Sequence, residues 1–129
     1  MAGELGIRDK LILPESFVKD VRPWLWATDI FVMPSREEGF SIALLEGLAS
    51  GLPAIVSDIA PFTEIIGPNN GMVCEKDNPQ SLASAMCRML ELGENGRAQI
   101  AANSLRMVQE NFTYEAAAAK TLKVYSSAV

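Results

Sequence analysis

Four short stretches of the chain combine mainly apolar side chains with the length of a strand. They comprise residues 11–13, 30–33, 54–57 and 71–74. Unbroken apolar runs of this kind are typical of parallel strands that are buried on both faces. Segments with the helical spacing of apolar residues separate most of them. The alternation therefore predicts an α/β fold with a parallel sheet.

The remaining patterned segments predict six helices. Three short ones lie among the predicted strands, over residues 21–27, 40–50 and 61–66. Three longer ones follow the last strand, over residues 79–92, from residue 95 or 96 to 110, and over residues 113–125. Pro79 suits the first turn of its helix, and Thr113 suits the N-cap of the last one. The chain is thus predicted to end in helices alone.

Residues 34–53 carry the most informative chemistry. An apolar strand leads into this segment, Gly39 permits a tight turn, and a helix over residues 40–50 follows. A helix that begins just beyond the carboxyl end of a strand presents unpaired backbone N–H groups there. The sequence therefore predicts that the N–H groups of Gly39, Phe40 and Ser41 bind an anion, with support from the helix dipole.

The predicted motif helix has one apolar face and one face of small residues. The small-residue face consists of Ala43, Gly47 and Ser50, with Glu46 beside them. Small side chains let a ligand approach the helix backbone closely. They equally let the helix pack tightly against a sheet, with Glu46 at the rim. Both interpretations stay open at this point.

Two carboxylates, Glu38 and Glu46, stand eight positions apart in this segment. On a continuous helix that separation is about 12 Å along the axis, whereas glycosidases hold their paired carboxyl groups about 5 to 9.5 Å apart. The spacing therefore favours binding the two ends of an elongated ligand, such as a nucleotide sugar, over paired acid–base chemistry. Among the other charged residues, Arg36 is expected in solvent, and Glu64 faces either the same crevice or water.

Composition limits the cellular setting and the partners. The chain has 129 residues, of which 49% are hydrophobic, so a single domain with its own core is expected. A net charge of −5 with interspersed signs does not suggest binding to nucleic acid or to an anionic membrane. No apolar run reaches the ~18 residues of a membrane span, and the start has no signal-peptide core. We therefore expect a cytoplasmic protein.

The absence of histidine restricts the chemistry that the chain can perform. It excludes nucleophilic pairs of serine or cysteine with histidine, and it removes the commonest transition-metal ligand. Neither a metal site nor a cofactor is predicted. Cys74 and Cys87 are isolated from each other in the sequence, and both are expected to be buried, reduced thiols.

The motif resembles that of the group 1 family of retaining glycosyltransferases, which have the GT-B fold. The matching residues are Pro34-Ser35, Glu38-Gly39-Phe40, Leu45-Glu46 and Ser50-Gly51-Leu52-Pro53, with further matches over residues 29–33, 54–58, 64–66, 70–73 and 111–114. The resemblance implies a partial Rossmann-like sheet, formed by the later strands of the carboxy-terminal, donor-binding domain. The intact enzyme would transfer a hexosyl unit from a nucleotide-diphosphate sugar to an acceptor hydroxyl.

The resemblance also implies roles for particular residues. Glu38 would lie beside the transferred sugar as the catalytic candidate, and Glu46 would bind the ribose hydroxyls. The backbone of Gly39, Phe40, Ser41 and Ile42 would contact the sugar and the phosphates. Residues 13–17 lack the glycine that the family usually carries there, so the nucleotide-base pocket is expected to differ. Residues 59–61 lack a glycine pair that is often found in the family.

The resemblance further implies that the amino-terminal acceptor domain and the first donor-domain strands, with their basic residues, are absent from this chain. We therefore expect the chain alone to be inactive, with an acidic crevice and an exposed sheet edge at residues 30–33 that favours a dimer. Two alternatives stay open. The chain could be a noncatalytic nucleotide-binding or protein-interaction module, or part of an epimerase of the same fold.

Overall fold

A computed structural model describes residues 1–14 and 16–127. Three parallel strands form one sheet in the order β1-β2-β3, and helices surround it. This confirms the predicted α/β fold class with a parallel sheet, although four strands were expected. After a 3₁₀ turn at Arg8–Lys10, the elements are α1 (Arg22–Trp26), β1 (Phe31–Met33), α2 (Ile42–Ala49), β2 (Ala54–Ser57), α3 (Ala60–Thr63), β3 (Gly71–Cys74), α4 (Pro79–Glu91), α5 (Gly93–Asn111) and α6 (Tyr114–Ser127).

The central strand β2 organises the core. All four of its residues are buried, and it pairs with β1 on one side and β3 on the other. Because successive side chains point to opposite faces, Ala54 and Val56 join one apolar cluster while Ile55 joins another. The first cluster includes Leu44 of α2, and the second includes Met89 of α4. The sheet is thus covered by helices on both faces.

Helix α2 approaches the sheet through Gly47. This residue is buried, and a Cβ atom there would lie 2.9 Å from Cγ of Phe31 in β1. A side chain at this position would force the helix away from the strand. Part of the small-residue face therefore serves helix–sheet packing, while Glu46 and Ala43 remain exposed.

The strand predicted at residues 11–13 does not form. Leu11, Ile12 and Leu13 lie in irregular structure and are exposed. An apolar triplet needs a neighbouring strand to pair its backbone groups, and in the described part of the chain none lies beside it. Glu15, which belongs to the segment predicted to alter the base pocket, lies outside the described residues.

The prediction of two buried thiols is half wrong. Cys74 is buried in β3, but Cys87 is exposed on α4, and both are free. In α4 the inward positions are Ala85 and Met89, four residues apart, so the side chain of Cys87 points away from them. Among the described residues, no helix has both the length and the apolar character to cross a bilayer.

Candidate functional site

A crevice runs along the carboxyl ends of the three strands. It consists of three cavities, of about 230, 480 and 340 Å³, between the loops at residues 34–40, 57–61 and 74–79. The first two cavities share Arg36 and Lys76, and the last two share Ala60 and Pro61. Open α/β sheets bind ligands at this edge, so the crevice is the candidate site.

Glu38 lines this crevice from the motif loop, which we define as residues 34–41 between β1 and α2. It is half-buried, and its Oε1 accepts a hydrogen bond of 3.0 Å from the hydroxyl of Ser35. Since α2 begins only at Ile42, Glu38 precedes the helix by four residues. The expected 12 Å separation from Glu46 was wrong in its premise, because the two carboxylates do not share a helix.

The side chain of Ser41 caps the N-terminus of α2. Its hydroxyl accepts a hydrogen bond of 3.2 Å from the N–H of Leu44 and donates to Sδ of Met33 at 3.3 Å. Only 3% of the residue is exposed. This cap explains why the helix starts two residues later than the sequence predicted.

Backbone N–H groups are free where the sequence predicted an anion site. In the part of the chain that the structure describes, those of residues 39–43 find no acceptor. Gly39 and Phe40 line the crevice together with Glu64, which is also exposed to solvent. The ring of Phe40 packs against that of Phe112, which lines the same cavity, with centroids 6.2 Å apart.

Glu46 and Ile42 lie apart from this group. Both are exposed on α2, and neither is among the described residues that line the three cavities. The structure therefore brings together Glu38, Gly39 and Phe40 at the crevice, with Ser41 beneath them. It leaves Glu46 on the adjoining open face of the helix, where a ligand would have to extend beyond the crevice to reach it.

The crevice was expected to be acidic and to lack basic residues, but two basic residues line it. Arg36 is exposed, as expected, but it also pairs with Asp77 across the crevice. Lys76 lines the crevice as well, and its backbone N–H donates a hydrogen bond of 2.7 Å to Oδ1 of Asp58. The sequence reasoning missed Lys76, Asp58 and Asp77. Their position directly after β2 and β3 was the signal that could have identified them.

Cys74 lines the crevice but is not suited to act as a nucleophile. It lies at the end of β3, where burial raises the pKa of its thiol. A thiol with a raised pKa stays protonated at neutral pH and is a poor nucleophile. Among the described residues, no three His, Cys, Asp or Glu side chains are grouped so that they could hold a metal ion.

Comparison with known proteins gives one family. Residues 2–92 match the family described as Glycosyl transferases group 1. The chain is 27% identical over 125 residues to the lipopolysaccharide core biosynthesis mannosyltransferase LpsB of Rhizobium meliloti (strain 1021), an alignment that covers 95% of the chain and 35% of LpsB. The chain thus spans about a third of the length of such curated relatives.

Two solved structures share the fold. The chain is similar to the C-terminal domain of LpcC, a glycosyl transferase group 1 family protein from Francisella tularensis, with a TM-score of 0.78, 26% identity, and coverage of 88% of the chain and 59% of that domain. It also resembles Anabaena Alr3699/HepE in complex with UDP, with a TM-score of 0.87, 20% identity, and coverage of 98% and 35%. The second likeness concerns the fold alone.

Proposed function

The chain belongs to the group 1 glycosyltransferases, and on that premise we propose that it is the donor-binding part of an enzyme that transfers a hexosyl unit from a nucleotide diphosphate to an acceptor hydroxyl. The name of LpsB as a mannosyltransferase supports the hexosyl unit, and the UDP bound by HepE supports the nucleotide. We also infer from the family resemblance that the anomeric configuration of the sugar is retained.

The observation that carries the proposal is the free row of N–H groups beside Glu38. The unpaired amides at residues 39–43 offer donors to a diphosphate, and the dipole of α2 adds to their attraction. Glu38, half-buried in the same loop, lines the crevice and would accept hydrogen bonds from sugar hydroxyls. Glu46, on the open face of α2, would accept hydrogen bonds from the ribose. Lys76 adds a positive charge at the crevice, whereas that of Arg36 is paired with Asp77.

We further propose that an additional segment completes this domain. The accessible surface of the chain is 9331 Å², whereas a compact monomer of its mass exposes about 6,700 Å². Exposed large apolar residues before β1 include Ile12, Phe17 and Trp26, and β1 itself has no partner on its outer side among the described residues. A preceding acceptor domain, with further donor-domain strands, would cover this surface. On its own, the chain would use the same surface to form a dimer.

Calorimetric titration with UDP-glucose and GDP-mannose tests the donor site. It should compare the chain with a longer protein in which an acceptor domain precedes it. In the longer protein we expect Glu46→Gln and Glu38→Gln to weaken binding or lower transfer about tenfold or more, because each removes charged acceptors of hydrogen bonds. Glu91→Gln, an exposed carboxylate at the end of α4, is the matched control and should change neither.

The outcomes separate the alternatives. Donor affinity and transfer that are both unchanged in the two variants would contradict the proposed roles of Glu38 and Glu46. Donor binding without any transfer in the longer protein would favour a noncatalytic nucleotide-binding module. Where transfer occurs, the coupling constant of the anomeric proton in the product reports whether configuration is retained.

A further inference from the structure

Two serine side chains connect the central strand of the sheet to the carboxylate of Glu38. Ser57 is the last residue of β2, and only 1% of it is exposed. Its hydroxyl donates a hydrogen bond to the backbone carbonyl oxygen of Ser35 in the motif loop. The hydroxyl of Ser35 in turn donates to Oε1 of Glu38 at 3.0 Å. The two bonds form a continuous connection from the buried core to the crevice.

This connection matters because the motif loop contains neither helix nor strand. A carboxylate on such a loop is not placed by regular backbone hydrogen bonding, and a free glutamate side chain samples several rotamers. Ser57 is held in the most buried strand of the molecule, so the carbonyl of Ser35 is tied to a rigid element. Ser35 is half-buried and passes that constraint to Glu38.

We propose that Ser35 and Ser57 are positioning residues that fix the carboxylate of Glu38 at the crevice for the donor sugar. The inference rests on the proposed function for the role of Glu38 in transfer, although the positioning itself is a property of this chain. A single donated hydrogen bond leaves Oε2 and part of Oε1 free to accept from a ligand. A site whose polar groups are held in place beforehand loses less entropy when the ligand binds.

The first test measures Glu38 itself by NMR, through the three-bond couplings about its χ1 and χ2 angles. In the unmodified protein these couplings should report one dominant rotamer. Ser35→Ala and Ser57→Ala should both shift them towards rotameric averaging, and Ser35→Thr, which keeps the hydroxyl, should restore the original values. Ser35 is only half-buried, so Ser35→Ala remains informative even if Ser57→Ala impairs folding.

Ser104→Ala is the matched control for loss of a buried hydroxyl. Ser104 is completely buried, and its hydroxyl donates to the backbone carbonyl of Asn70 at 2.7 Å, in contact with a different loop. If Ser57→Ala acted on Glu38 only by destabilising the fold through loss of a buried hydroxyl, Ser104→Ala should affect Glu38 in the same way. We expect averaging of the Glu38 couplings in Ser57→Ala but not in Ser104→Ala. Unchanged Glu38 couplings in Ser35→Ala would overturn the proposal.

The second test measures transfer in the longer protein that contains the chain. Ser35→Ala and Ser57→Ala should lower kcat about tenfold, Ser35→Thr should recover most of the rate, and Ser104→Ala should leave it unchanged. Absence of transfer in the unmodified protein would contradict the proposed function, but the NMR couplings would still decide the positioning role. Altered couplings with an unchanged kcat would overturn the part of the proposal that concerns the sugar.

Discussion

The first thirty residues and the eighty that follow are both rich in apolar side chains, yet only the second group forms a core. None of the described residues up to position 30 is buried, and all the buried residues that the structure describes lie from Ser41 to Val108. The exposed apolar residues of the first region include Ile12, Phe17 and Trp26. The difference teaches that apolar content builds a core only where a sheet supplies a face and helices cover it.

The largest expected effect compares one phenylalanine from each region. Phe62 is completely buried in the cluster on one face of the sheet, and Phe17 is 91% exposed. We expect Phe62→Ala to lower the free energy of unfolding by about 3 to 5 kcal/mol, and Phe17→Ala to change it by less than about 0.5 kcal/mol. Urea denaturation followed by circular dichroism measures both.

Equal losses in the two variants would mean that the first thirty residues are packed in solution, which would end the contrast between the regions. A small loss for Phe62→Ala would place the core elsewhere. The slope of the denaturation curves serves as a control, because a changed slope indicates a change in the surface exposed on unfolding rather than in stability alone.

An intermediate effect concerns the dimer proposed for the isolated chain. Light scattering coupled to size-exclusion chromatography should give twice the chain mass of 14.0 kDa at high concentration. Trp26→Asp should shift the equilibrium towards the monomer, because it places a charge on the apolar surface before β1. Leu90→Asp is the control, because Leu90 is an exposed apolar residue of α4, and it should leave association unchanged.

A chain that stays monomeric at every concentration would contradict the dimer, and it would show that the surface of the first region is tolerated in water. Association that is weakened equally by Trp26→Asp and Leu90→Asp would indicate nonspecific contacts. Either result would show that the apolar residues of the first region are exposed without forming a specific interface, which sharpens the contrast with the region that forms the core.

The smallest expected effect is electrostatic and local to the first region. The side chain of Arg22 donates hydrogen bonds to Asp20 and lowers the pKa of that carboxyl to about 2, from its ordinary value of 3.8. A depressed carboxyl pKa stabilises the fold above pH 4, and this contribution is lost as the pH falls from about 4 to 2. Both groups are exposed, so the stability involved is small.

NMR titration of the Asp20 carboxyl checks this prediction. Arg22→Ala should return the midpoint towards 3.8, while the unfolding temperature at neutral pH should hardly change. Arg8→Ala, which removes another basic residue of the first region, is the control and should leave the Asp20 midpoint low. A midpoint near 3.8 in the unmodified protein would mean that the Asp20–Arg22 pair is not maintained in solution.

The sequence predicted the three strands of the sheet to within one residue, because their apolar runs are bounded by turn residues. It failed at residues 11–13, where the same kind of pattern has no neighbouring strand and stays irregular. Local pattern therefore identified strands only where tertiary pairing was available. Cys87 was misplaced for a related reason, because burial on a helix depends on which face meets the sheet.

The candidate site was predictable only in part. The motif loop and Glu38 were identified from the order of strand, glycine and helix, and the structure places them at the crevice. Lys76 and Asp58 were missed, because they reach the crevice from the ends of separate strands and are joined by a hydrogen bond that no local pattern encodes. The estimate of the distance from Glu38 to Glu46 assumed one continuous helix, because the capping of α2 by Ser41 was not recognised.

Gly47 illustrates how a residue without chemical function constrains a site. Its missing Cβ lets α2 rest directly on the ring of Phe31, so the depth at which the helix sits is set by contact with its bare backbone. The side chain of any larger residue would come between the helix and the strand. It would lift the start of the helix, and with it the row of free amides, relative to the strand ends. Gly47 offers a ligand no side chain to bind, yet it determines where the free amides of α2 lie relative to the strand ends.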